Sequence, residues 1–178
     1  MKKQTGQNRS IRRGFTLIEI VVVLVILSIT ALLAVPVFGT AADMQVRAAA
    51  DKIAADLDYA KGLAVTRQKT YTVVFFPLEE RYQVQDAAGT VLPHPLRSGR
   101  QFVENFSVDR RTKKVDVVST TFSGDAVTFD YLGTPYSGTD TANRLNEAGW
   151  ITIQADSFVL YVKIEPVTGY ISVEKTKT

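Results

Sequence analysis

One histidine, no cysteine and few isolated carboxylates limit the chemistry open to this 178-residue chain. His94 stands between Pro93 and Pro95 in what reads as a loop. A histidine-cluster metal site cannot be built within one chain, and a serine–histidine–acid triad would have to use this residue. The lack of cysteine removes disulfides, iron–sulfur clusters, thiolate metal sites and a cysteine nucleophile. Glu79 and Glu80 are adjacent, and neighbouring strand or turn residues point apart, which does not suit an acid–base pair. The sequence has no glycine-rich phosphate loop and no metal-ligand spacing. The residues therefore read as those of a non-enzyme with no cofactor, and His94 reads as structural.

What remains is charge placed in unusual surroundings. Residues 1–14 hold Lys2, Lys3, Arg9, Arg12 and Arg13 and no acid, so this leader carries five of the positive charges and the rest of a chain of net charge +3 is left at −2. Glu19 sits just inside a run that is otherwise apolar, and residues 20–42 carry no charge at all. A carboxylate there is expensive unless neutral or paired, and such residues are functional hypotheses by default. Gly14, directly ahead of the run, is the local feature that invites cutting, whereas a secretory signal is cut after a shorter apolar stretch. A second cationic feature, Arg110, Arg111, Lys113 and Lys114 around Thr112, with Lys175 and Lys177 on the tail, is a candidate for phosphate contact.

The elements that carry these groups are legible in outline. Residues 15–35, as a helix rising about 1.5 Å per residue, would span roughly 31 Å, close to the hydrocarbon thickness of a bilayer. The basic leader puts the N-terminus in the cytoplasm and the remainder beyond the inner membrane. Pro36 removes a helical hydrogen bond and predicts a kink, while Ser28 and Thr30 offer hydroxyls to helical carbonyls. After Gly39, Val46, Ala49, Ile53, Leu57, Ala60 and Ala64 recur at spacings of three and four, which predicts that the helix continues to about Gln68 and packs one stripe on a sheet.

Residues 70–76 and 81–86 then read as paired strands, residues 92–100 as a loop, and residues 115–122 and 126–131 as strands flanking Ser123-Gly124-Asp125. Residues 133–149 read as a long surface loop. Segments 150–155, 158–165 and 170–174 complete the sheet, with Pro166-Val167-Thr168-Gly169 turning between the last two. The expected architecture is α+β, one long N-terminal helix laid on antiparallel sheets. Its divisions are a leader at 1–14, a membrane and assembly helix at 15–38, an amphipathic continuation at 39–68 and a β-rich head at 69–178.

Arg12-Arg13-Gly14-Phe15-Thr16-Leu17-Ile18-Glu19, followed by the aliphatic run and Pro36, resembles the N-terminus of type IV pilins and type II secretion pseudopilins. The resemblance implies cleavage between Gly14 and Phe15 by the prepilin peptidase and N-methylation of Phe15. It also implies that Glu19 pairs with the terminal amine of a neighbouring subunit during assembly. Relatives often carry glycine where this chain has Ser28, which leaves open how far the helix unwinds between Ser28 and Pro36.

A second resemblance is to the GspH/FimT family of minor pseudopilins and minor pilins. It is carried by the run from Leu57 through Ala64-Val65-Thr66-Arg67 to Tyr71-Thr72-Val73-Val74-Phe75, by Phe129-Asp130-Tyr131-Leu132-Gly133, and by Glu165-Pro166-Val167-Thr168-Gly169-Tyr170-Ile171. Lys61 and Gly62 stand where that pattern has arginine and serine. The resemblance implies a structural subunit near the tip of a pseudopilus or pilus. Its partners would be other pilins, the inner membrane and the secretion or pilus assembly machinery. The alternative it implies is a minor pilin that binds DNA for transformation through Arg110, Arg111, Lys113, Lys114, Lys175 and Lys177.

Overall fold

The structure is a computed structural model in which residues 14–33 and 41–177 are described. It divides into two compact units, the first ending at Phe38 and the second beginning at Gly39. In the first unit, α1 (Leu17–Leu33) is built from β-branched and leucine side chains. All of its side chains through Thr30 are exposed. Pro36 and its expected kink, and the joining of the two helices, lie outside the described residues.

The second unit is organised by α2 (Ala41–Arg67), whose 27 residues make a rod of about 40 Å at 1.5 Å per residue. Val46, Ala49, Ile53, Leu57, Ala60 and Ala64, the stripe read from spacing, are all fully buried, joined by Ala42 and Ala50. The alanines let the helix backbone lie close to the strands beneath. The helix stops where Gln68 turns left-handed (φ 54°), with the Lys69 N–H reaching back to the Ala64 carbonyl at 3.2 Å.

Two antiparallel sheets receive this stripe. The first has the order β3 (Val103–Asn105), β2 (Arg81–Asp86), β1 (Tyr71–Phe76), β5 (Ala126–Phe129) and β6 (Pro135–Ser137). The second has the order β4 (Asp116–Thr120), β7 (Gly149–Ala155), β8 (Phe158–Ile164) and β9 (Ile171–Glu174). The helix touches β1 and β5 of one sheet and β7, β8 and β9 of the other, so a single core runs beneath it. Alternation along β1 and β2 aims Tyr71, Val73, Phe75, Tyr82 and Val84 into that core, and Ile151, Ile153, Val162 and Ile164 do the same from β7 and β8.

The expected strands are present, with two corrections. Residues 133–149 are not simply a surface loop. They contain β6, which pairs with β5 through Thr128 opposite Tyr136, and they bury Leu145. The expected loop at 92–100 is present, but the strand after it, β3, carries no pattern long enough to read. In addition, Ser123-Gly124-Asp125 does not close a hairpin. It passes the chain from β4 in the second sheet to β5 in the first.

Candidate functional site

The N-terminal segment is built around a reciprocal helix cap. Gly14, Phe15 and Thr16 precede the helix. The Thr16 hydroxyl accepts the Glu19 N–H at 3.3 Å, and the Glu19 carboxylate accepts the Thr16 N–H at 3.5 Å. This is the Ser/Thr-x-x-Glu capping box, in which two otherwise orphaned N–H groups are satisfied. The amide that Glu19 accepts belongs to the Phe15–Thr16 peptide, so a cut between Gly14 and Phe15 leaves the box intact. Such a cut would set a cationic amine one residue ahead of the cap, at the positive end of the helix dipole. A carboxylate can neutralise such an amine, and Glu19 is the one acidic group of α1.

Gly14 has no reason in the fold to be glycine. Among the described residues, a side chain there would meet nothing within 4 Å, and the residue has no left-handed backbone. Farther along, Ser28 and Thr30 donate to the Leu24 and Ile26 carbonyls at 2.7 and 2.9 Å, which satisfies their hydroxyls inside an apolar helix. Among the described residues no helix is long and apolar enough to cross a membrane. At 17 residues, α1 reaches about 25 Å, short of the roughly 30 Å of hydrocarbon.

The basic residues are redistributed by the fold. Residues 107–114 form a turn held between buried Phe106, Thr112 and Val115, and the Lys114 N–H donates to the Gln45 side chain of α2 at 3.1 Å. Arg111 borders an apolar groove of about 330 Å³ with Ala41, Met44, Gln45 and Ala48. Lys175 lies near Asp43 and Arg47 on another side of the same helix turns. Lys177 is instead over the ring of Trp150, at the start of β7. The Asp109 carboxyl is held below its usual range by the Arg111 backbone N–H.

Sequence reading missed a buried polar cluster. Glu104 on β3 accepts from His94 Nε2 at 2.7 Å and from Lys52 of α2 at 3.2 Å, with Arg97 at 3.3 Å. The Leu96 N–H donates to His94 Nδ1 at 3.0 Å, so the ring proton sits on Nε2 and both nitrogens are occupied. Beside it, Tyr82 donates to Asp56 at 2.5 Å. Burial raises the Asp56 carboxyl above its ordinary range despite Tyr82 and Lys52, and burial beside Asp56 raises the Tyr82 hydroxyl far above its own. The cluster joins α2, β2, β3 and the 92–100 loop. Its partners are too dispersed in sequence for any local motif to show them. Glu79 is paired with Arg81 at 2.6 Å, and Glu80 is raised by burial and by Asp116. Among the described residues no group of side chains is arranged to hold a metal ion.

A capped apolar helix preceded by glycine and a head in which one long helix lies on antiparallel sheets are the features to compare with known proteins. The prokaryotic N-terminal methylation motif matches residues 9–35. Among solved structures, the minor pseudopilin EpsH from the type 2 secretion system of Vibrio cholerae is 8% identical with a TM-score of 0.51, covering 74% of this chain and 97% of that one. The type IV minor pilin FimU of Pseudomonas aeruginosa is 16% identical with a TM-score of 0.49, covering 72% and 91%. No curated protein sequence matches. The fold is thus pilin-like α+β, and the motif is that of a prepilin.

Proposed function

We propose that this chain is a minor pilin or minor pseudopilin of the GspH/FimT kind, a structural subunit carried at or near the tip of a type II secretion pseudopilus or a type IV pilus. The leader at 1–14 orients insertion and is removed by the prepilin peptidase at Gly14–Phe15. Phe15 is then methylated, and residues 15–38 stay in the inner membrane with the head in the periplasm until the assembly machinery extracts the subunit. In the filament, apolar packing of α1 against neighbouring helices replaces lipid contact. Glu19 sets register by pairing with a neighbour's terminal amine. Secretion across the outer membrane is the process served.

The observation that carries this reading is the conjunction at residues 14–19: a glycine the fold does not need, then a capping box whose carboxylate is the helix's one acid. Isolating filaments from cells that carry an affinity-tagged chain tests it. The tagged chain is expected at one filament end, in far fewer copies than the major subunit. Its absence from every filament fraction would overturn the assignment.

A further inference from the structure

Residues 93–100 form the tip of the connection between β2 and β3, and His94 is the one buried residue among them. The neck beneath the tip is fixed by backbone bonds. The Leu92 N–H donates to the Val84 carbonyl at 2.9 Å and the Phe102 N–H to the Leu92 carbonyl at 2.6 Å. Above that neck, the side-chain hydrogen bonds and ion pairs that tie the tip to the rest of the head are, among the described residues, those of His94 and Arg97 with Glu104. The His94 ring also lies 4.8 Å from the ring of Phe102, which reaches Tyr59 of α2 at 5.8 Å.

The way the ring is seated matters. Pro95 has no N–H, so the first amide after His94 able to donate is that of Leu96, and it meets Nδ1 at 3.0 Å. Nε2 donates to Glu104 Oε1 at 2.7 Å. This seat fits a neutral imidazole, with one donor and one acceptor. An imidazolium has two donors and no acceptor, so a proton on Nδ1 sets N–H against N–H.

Charge around the ring points the same way. The titratable groups there are Glu104 on β3, Lys52 and Asp56 on α2, Tyr82 on β2, and Arg97 and Arg100 in the tip. Oε1 of Glu104 already takes Lys52 at 3.2 Å and Arg97 at 3.3 Å, and Lys52 also lies 3.7 Å from Asp56. With His94 neutral, the buried pairs balance. An imidazolium makes three cations for two carboxylates, and burial already raises Asp56 toward its neutral form. Glu104 attracts the charged ring, yet it cannot give the Leu96 N–H an acceptor. Leaving the seat solvates the ring and that N–H together.

We propose that His94 is an acid-operated latch. Neutral, it pins the 93–100 tip over Phe102 and Glu104. Protonated at Nδ1 by solvent, it leaves its seat, and the tip swings out on its neck and uncovers Phe102 beside Tyr59. Acid thus changes the face the head offers to a partner. The latch belongs to the head alone and stands whether or not the chain is processed as a prepilin.

The chain has one histidine, so its ring nitrogens give a single set of NMR signals. The full chain in detergent micelles is titrated while amide exchange is followed at Leu96 and at Ile53 of α2, each corrected for the direct effect of pH on exchange. A histidine in water takes up its proton near about pH 6.5, and protection at Leu96 should fall about tenfold for each pH unit below that, as the ring titrates, while Ile53 stays protected. His94→Gln keeps a donor for Glu104 and does not titrate, so the acid dependence at Leu96 should vanish. Lys52→Met removes one competing cation and should weaken the acid opening, which decides the matter if His94→Gln leaves the tip open at every pH. An imidazolium formed while Leu96 stays protected overturns the proposal. So does an acid-dependent loss that persists in His94→Gln, an unchanged opening in Lys52→Met, or a loss that reaches Ile53 with the same pH profile.

Discussion

Glu19 has one role in the structure and a second in the proposed filament, and a single substitution can separate them. In the structure it closes a capping box, and in the proposed filament it neutralises a neighbour's amine. Gln also closes capping boxes, so Glu19→Gln keeps the cap and removes the charge, whereas Glu19→Ala removes both. The cap contacts, at 3.3 and 3.5 Å, are long and exposed, which places them near the low end of capping energies, at about 0.5 kcal/mol. An ion pair at about 4 Å with an effective dielectric near 20 is worth about 4 kcal/mol, close to a thousandfold in an equilibrium. The pairing account therefore predicts that Gln and Ala are both incorporated into filaments some hundred- to thousandfold less than wild type. A cap-only role predicts that Gln matches wild type and Ala falls about twofold. The assay is the ratio of mature chain in sheared filaments to mature chain in membranes, measured with processing at Phe15 verified for each variant. Wild-type incorporation of Glu19→Gln would refute the pairing argument.

Other expectations follow from individual contacts. Gly14→Ala should leave the head's melting curve unchanged, because nothing among the described residues lies near the added methyl, while the unprocessed precursor accumulates on immunoblots. Val167, at φ 67° and largely exposed, holds a β-branched residue in left-handed backbone, so Val167→Asn should stabilise the full chain by about 1 kcal/mol in chemical denaturation. Burial raises the folded-state carboxyls of Asp56 and Glu80. Their contribution is fully present below the ordinary carboxylate range and is lost as pH rises through the raised values, so mild acidification from neutral pH gains stability through them. Asp56→Asn, which keeps an acceptor for Tyr82, should raise the melting temperature at neutral pH and shrink that gain. A steeper pH dependence in the variant would contradict the burial argument. Asp109 has the opposite sign, its contribution fading as pH falls through its lowered value.

Much of the fold could be read in advance because its signals are local and periodic. The α2 stripe from Val46 to Ala64 declares itself at helical spacing, and the paired alternation of β1 and β2 leaves one register. Where pairing rather than pattern decides, the sequence is silent. Three residues of β6 become a strand only because β5 offers them an edge. The turn at Ser123-Gly124-Asp125 looks like any hairpin turn, although Phe122 packs its ring against Gly149 across the second sheet, where any side chain would collide at 2.2 Å.

The sites divide in the same way. Gly14, Phe15 and Glu19 fall within six residues, so the glycine ahead of the helix and the cap between Thr16 and Glu19 are local features that the sequence displays. The basic residues are adjacent in sequence, whereas the fold sets Arg111, Lys114 and Lys175 beside α2 and Lys177 over Trp150. Glu104 has no neighbour in sequence that marks it as the centre of a buried cluster. Lys52, 52 residues away, supplies one of its partners.

The central claim is that this chain is a prepilin processed ahead of its apolar helix. Intact mass of the protein extracted from its native membrane tests that claim most directly. The account predicts a chain that begins at Phe15, lacks residues 1–14 and is heavier by one methyl group on its terminal amine. A chain that retains the leader, is cut after the apolar segment, or begins at an unmethylated residue would contradict it.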